Sequence, residues 1–458
     1  MSFLLRLFVI TLLLASSSCL EPLAAGAPCT RLSDCARPFV CTNEICAPNR
    51  VGRGEEGEGE GEGEGEGEGE GEGEGEGEGE GEAPPPCTAA TVPLIADTDS
   101  EVMLAGRPGS SQVGVLFGDL AVETTSTRSN LQFRRLDVAT GAYVGAALEV
   151  QGTQGGFISA AGLAWDETNQ MFGAVWSTSS DLKFRRITPT GALNGPPVTL
   201  SVGTIGLLDS VHVLARPTGG FTVLVSVRNQ VTGTGGFAAD GVRMVQINGA
   251  GVATAATTAI ALSVIEGRPI VEPAGPGTLF MYSTGNTVES VARMARLNLA
   301  TGVVDATFKT FPTVGGEVDS QVFAGAKTFV SYKHQAGSDA FCDVNSSCAT
   351  VASHKQMPFS VVRWGANGTD AIHLGADRWF VVGVVGSEAF STVLTFSSNA
   401  ATLTDYEVMS TSNSNSSSFT TDVAAANDAV VFVSSVGRSG TSSRDLSVSV
   451  RCEAGVRP

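Results

Sequence analysis

The chain has 458 residues, 47 acidic side chains against 28 lysines and arginines, and a formal charge of −19. That balance excludes the basic patch a nucleic-acid-binding protein needs. The length is enough for a sizeable core, and nine cysteines point to an oxidising compartment.

The N-terminus reads as an export signal. Arg6 precedes an apolar run from Leu7 to Leu14, and small residues follow at Ala15 to Ser18. The run is too short to cross a bilayer, which takes about 20 residues. Residues 1–18 are therefore expected to be a signal peptide. Ala15-Ser16-Ser17-Ser18-Cys19 resembles the lipobox of bacterial lipoproteins, which implies lipid attachment at Cys19. The match departs at Ser16, where that family prefers Leu. Cleavage near Ala25-Gly26-Ala27 is the alternative.

Residues 19–53 read as a short cysteine-rich stalk. Setting Cys19 aside leaves an even set: Cys29, Cys35, Cys41, Cys46, Cys87, Cys342, Cys348 and Cys452. All eight are expected to form disulfides. The spacing of the first four does not fit the paired short spacings of zinc ribbons. The stretch from Pro28 to Pro48, with Ser33-Asp34-Cys35 and Cys46-Ala47-Pro48, resembles the stalk modules of bacterial surface lipoproteins. It also resembles half of a Dickkopf-type cysteine-rich region. So short a segment buries little and needs its bridges.

Residues 54–86 read as a disordered linker of alternating Gly and Glu that ends in Pro84-Pro85-Pro86. It holds 15 of the 47 acidic residues, and without them the formal charge is −4. The acidity belongs to the tether, and the alternating glycines give no fixed calcium cage.

Residues 87–458 carry short alternating runs such as Phe221-Thr222-Val223-Leu224-Val225-Ser226-Val227, an all-β pattern. Phe133-Arg134-Arg135-Leu136 recurs as Phe184-Arg185-Arg186-Ile187, and more weakly around Val245 and Leu297. Each copy runs into a glycine-containing turn. Four strands per unit at a spacing of roughly 50 residues is the signature of a β-propeller blade. Units near 100–152, 155–202, 205–264, 266–313, 315–368, 369–412 and 416–452 give seven blades, with six as the alternative count. The fifth and sixth are expected to be irregular. The last unit has three strands, and Thr88–Ile95 is expected to supply its fourth. That arrangement brings Cys87 to Cys452, a closure worth about 4–5 kcal/mol in the chain-entropy model.

Catalytic motifs are not found, and no cofactor or metal site is expected. His212, His334, His354 and His373 are not at metal-ligand spacing. The repeated arginines recur with the blades, which points to a structural role. The leading expectation is a non-enzymatic, surface-tethered propeller whose loop face binds protein or glycan, with Phe341 to Cys348 its most distinctive loop. Its partners would be a membrane, through the lipid, and that ligand, with no nucleic acid. The alternatives are a glycosidase or lactonase working in the channel, for which Asp166, Asp209 and Asp319 are the candidates, and a purely structural envelope protein. The whole architecture resembles secreted lipoproteins of myxobacterial type. That resemblance implies a cell-envelope or cell-surface location, anchored in the outer membrane, with free secretion as the alternative.

Overall fold

The protein is described here by a computed structural model. It describes residues 39–42 and 45–48, and residues 87–453 apart from 96–101, 124–125, 153–159, 179–180, 204–206, 231–236, 273–274, 276, 285–291, 312–319, 334–338, 346–347, 349–354, 359–369, 386–387, 398–399, 412–421 and 438–443. The expected signal peptide, Cys19, Cys29, Cys35, Asp319, His334 and His354 lie outside the described residues. The chain divides into two compact units, residues 1–78 and 79–458.

In the first unit, β1 (Phe39–Thr42) and β2 (Ile45–Pro48) form an antiparallel hairpin in which Cys41 opposes Cys46.

The second unit is a seven-bladed β-propeller. Blade 1 is β4 (Val102–Gly106), β5 (Gln112–Glu123), β6 (Ser126–Asp137) and β7 (Ala142–Glu149). Blade 2 is β8 (Ala161–Asp166), β9 (Met171–Ser177), β10 (Leu182–Ile187) and β11 (Leu193–Leu200). Blade 3 is β12 (Leu207–Ala215), β13 (Phe221–Gln230), β14 (Phe237–Ile247) and β15 (Thr257–Ala261). Blade 4 is β16 (Ser263–Val271), β17 (Gly277–Thr284), β18 (Ala292–Asn298) and β19 (Val303–Thr310). Blade 5 is β20 (Ser320–Ala324), β21 (Thr328–Lys333), β22 (Asp339–Asp343) and β23 (Lys355–Gln356). Blade 6 is β24 (Asp370–Gly375), β25 (Arg378–Val385), β26 (Glu388–Phe396) and β27 (Ala401–Thr411). Blade 7 is β28 (Val423–Ala426), β29 (Ala429–Gly437), β30 (Arg444–Cys452) and, from the N-terminal side, β3 (Ala90–Ile95).

Each sheet is an antiparallel meander whose first strand is innermost. Every inner strand touches the next around the ring, and β28 touches β4, so the cycle closes. Burial follows this order. The inner strands β4 and β28 are almost wholly buried, while the outer strands β7 and β19 are largely exposed. Seven blades is the count that the structure gives. Blade 5 is irregular as expected, with a two-residue outer strand. Blade 6 keeps four full strands although its copy of the arginine motif is faint, and its irregularity lies in the ladders, which slip between His373 and Gly375, between Ala389 and Phe390 and between Ser391 and Val393. Blade 4 begins at Ser263, inside the unit expected to end at residue 264, because only the turn at Leu262 separates it from β15.

Ring closure joins the two ends of the unit. β3 pairs antiparallel with β30, and Cys87 is bonded to Cys452. Pro93 stands opposite Ser447 on the outer edge strand, where its missing N–H costs no ladder bond on the free side. Thr88 adds two bonds to blade 1, its N–H to Val138 O at 2.9 Å and its hydroxyl to Ala139 O at 2.6 Å. A second disulfide, Cys342–Cys348, closes the turn after β22.

Aromatic contacts between neighbouring blades fill the seams. Phe133 meets Phe172 at 5.0 Å, Phe184 meets Phe221 at 5.5 Å, and Phe380 meets Phe432 at 5.3 Å. Glycines in second strands make room for these rings. A Cβ at Gly173 would lie 2.6 Å from the Phe221 ring, and one at Gly114 would lie 2.6 Å from Phe172.

Candidate functional site

The inner strands pair on one side only, so their free edges face the central channel. A cavity of about 890 Å³ occupies it, lined by β4, β8, β12, β16, β24, β28 and the hairpin turns that follow several of them. Blade 5 is the exception among the described residues, since β20 supplies none of the lining.

A side-chain clamp joins β16 to β20. The ladder from β16 to β17 slips between Glu266 and Ile270, with Gly267 in the left-handed region at φ 68°. The slip leaves the Arg268 peptide without a ladder partner and admits Pro269 to the strand. The Gln321 carboxamide takes both orphan groups. Its Oε1 accepts from Arg268 N at 2.9 Å, and its Nε2 donates to Arg268 O at 3.0 Å. Gln321 is fully buried and acts as a substitute peptide group.

The same bulge sends the Arg268 side chain across the channel. Its Nη1 donates to Asp370 Oδ2, to Asp422 Oδ1 at 2.5 Å and to Val423 O at 3.2 Å. Blade 4 is thereby tied to blades 6 and 7. The two carboxylates also serve free strand edges. Asp370 accepts from Ala371 N at 2.8 Å and Val423 N at 3.2 Å, and Asp422 accepts from Val423 N at 2.9 Å and Leu104 N at 2.5 Å. Burial opposes the Arg268 charge, but Asp370 and Asp422 outweigh it and hold the guanidinium above its ordinary range. Burial raises Asp422 well above the ordinary carboxylate range; Arg268 counters this and Asp370 adds to it. A third of the Arg268 side chain remains open, and that residue lines the channel cavity.

His212, on β12, lines the same cavity and is buried, with Nε2 lacking a hydrogen-bond partner. Burial, with the Arg268 charge adding to it, lowers its pKa to about 3, so the ring is neutral at physiological pH. Nearer the hairpin turns, Trp165 donates to Glu167 Oε2 at 2.6 Å, and the Arg107 guanidinium sits 4.6 Å over the indole. Glu272 accepts from Arg296 at 2.9 Å.

Of the carboxylates considered from sequence, Asp166 falls elsewhere. Asp166 is buried at the last position of β8, where it caps the turn that follows. It accepts from Thr168 N at 3.0 Å, Asn169 Nδ2 at 2.7 Å and, across the seam, Gly220 N at 2.5 Å. It is a turn cap and blade staple, fully engaged, and it takes no part in the Arg268 cluster. Asp209 is on β12 and its side chain lies outside the description, as does Asp319 altogether. His373 bonds Ala376 O through Nε2 at 2.6 Å and packs on Trp379. Among the described residues, no group of three His, Cys, Asp or Glu could hold a metal ion.

The repeated arginines stitch blades together. Arg135 donates to Pro189 O at 3.3 Å in blade 2, and Arg186 donates to Gly249 O at 2.6 Å in blade 3. Arg185 reaches back to Val150 O at 2.8 Å. Sequence reading missed Arg268, Asp370, Asp422 and Gln321, which do not repeat. The one local signal was Pro269 within a strand-like run, which marks a bulge.

No protein-family model and no curated protein matches the sequence. Among solved structures, similarity extends to a protein of unknown function from Dyadobacter fermentans, with TM-score 0.47, 8% identity, and coverage of 79% of this chain and 98% of that one. A puromycin-hydrolyzing peptidase of Mycobacterium tuberculosis has TM-score 0.48 and 13% identity, covering 77% of this chain and 53% of that one. The Dos1 propeller has TM-score 0.46 and 10% identity, covering 80% of this chain and 96% of that one. The class of this unit is thus the seven-bladed β-propeller, defined by its own strand order and closure.

Proposed function

We propose that this protein is a surface-tethered, non-catalytic binding propeller. In this reading Cys19 carries a lipid in an envelope membrane. Residues 19–53 and 54–86 act as stalk and spacer, and the ring offers its loop face to a protein or glycan. One observation carries the preference for binding over hydrolysis. Among the described residues, every carboxylate that lines the channel cavity is already engaged: Asp370 and Asp422 by Arg268 and backbone N–H groups, Glu167 by Trp165, and Glu272 by Arg296. A general acid or a nucleophile needs a carboxyl group free to meet substrate.

Two measurements on the full chain test the reading. Labelled palmitate should enter the wild type and be lost in Cys19→Ser. A glycan array and surface cross-linking should return a saturable partner. Label retained in Cys19→Ser overturns the anchor, and turnover of glycoside or lactone substrates overturns the non-catalytic assignment.

A further inference from the structure

The channel cavity carries unspent hydrogen-bonding capacity that the ring itself does not use. All the hydrogen bonds that the Arg268 side chain makes among the described residues leave from Nη1. Among the described residues nothing takes the hydrogens of Nε and Nη2, and the side chain is one-third open where it lines the cavity. His212 lines the cavity from the neighbouring blade with Nε2 buried and unpartnered. A buried polar atom left without a partner is destabilising, and a ligand that satisfies it recovers that loss on binding.

The charge of the cluster selects the ligand. Asp370 Oδ2 and Asp422 Oδ1 both meet Arg268 Nη1 and both accept from Val423 N, so the two oxygens are neighbours. The Arg268 charge is thus already matched by the two carboxylates it bonds. An anion would bring in an uncompensated buried charge, and a cation would find both carboxylates taken. An uncharged acceptor costs neither. Around it the wall is part apolar, from Leu104, Val213, Ile270, Ala371 and Ala425.

We propose that the central cavity is a binding site for a compact uncharged molecule that presents a carbonyl oxygen to Arg268 and His212. This goes beyond the loop-face reading and does not depend on it. A blank glycan array leaves it standing.

The test uses full-length protein and prodan, a neutral naphthalene with a propionyl carbonyl whose emission reports its surroundings. Saturable 1:1 binding with a blue shift is expected. N-phenyl-1-naphthylamine, which lacks the carbonyl, should bind at least tenfold more weakly, and anilinonaphthalene sulfonate should not saturate. His212→Phe, and Ala164→Phe on the cavity wall, should each weaken prodan by tenfold or more with native circular dichroism. If Ala164→Phe does not fold, Ala215→Leu on the same wall decides. No saturable prodan binding, equal binding of the sulfonate or of the carbonyl-free probe, or unchanged affinity in the folded variants overturns the proposal.

Discussion

The seam between blades 2 and 3 and the tie between blade 4 and blades 6 and 7 solve the same problem by different means. At the first, contacts are short in reach and repeated in kind. Asp166 caps its own turn and takes Gly220 N, Arg186 reaches Gly249 O, and Phe184 lies against Phe221. A related staple recurs between blades 5 and 6, where Lys327 N donates to Asp377 Oδ1 at 3.0 Å. At the second, one guanidinium spans the channel to two buried carboxylates, and nothing else among the described residues resembles it. Neighbouring sheets are held by distributed contacts whose individual loss is tolerable. The channel is held by a concentrated set in which each member depends on the others.

Removing Arg268 should expose that difference most sharply. Arg268→Met leaves two buried carboxylates facing each other and is expected to cost about 3–5 kcal/mol. Adding Asp370→Asn and Asp422→Asn should return much of it. Urea unfolding of the single and triple variants measures both, and a triple variant no more stable than the single one would break the comparison. Asp166→Ala comes next. It strands the Gly220 and Thr168 N–H groups within the seam, for an expected loss of about 2 kcal/mol in the same assay. The smallest effect belongs to Arg186→Ala, about 1 kcal/mol, because it loses only two neutral acceptors, Gly249 O and Asn194 Oδ1, in a partly exposed seam. A cost for Arg186→Ala equal to that for Arg268→Met would show that the rim carries as much as the channel.

The same contrast explains what the sequence disclosed. Blades are legible because each must build four strands and turn back. That requirement prints alternating apolar residues, a glycine turn and, in several copies, an arginine at a fixed place. Cys87 and Cys452 were legible because the last unit lacked a strand and Thr88–Ile95 had no unit. The channel cluster was not. Its residues belong to blades 4, 6 and 7, they stand 102 and 154 positions from Arg268, and only closure of the ring brings them together. Asp166 misled for a related reason: a carboxylate at a blade turn has the same local appearance whether it caps a turn or faces a substrate. Its partner, Gly220, is 54 residues away.

The closure at Cys87 has a mechanical consequence. Everything N-terminal to Cys87 enters the ring through that residue, which is bonded to Cys452 before β3 begins. A pull along the chain from that side meets a covalent link to β30 first. The hydrogen bonds between β3 and β30 lie behind it and are spared the load. Under tension the ring cannot be unzipped strand by strand from its N-terminal end.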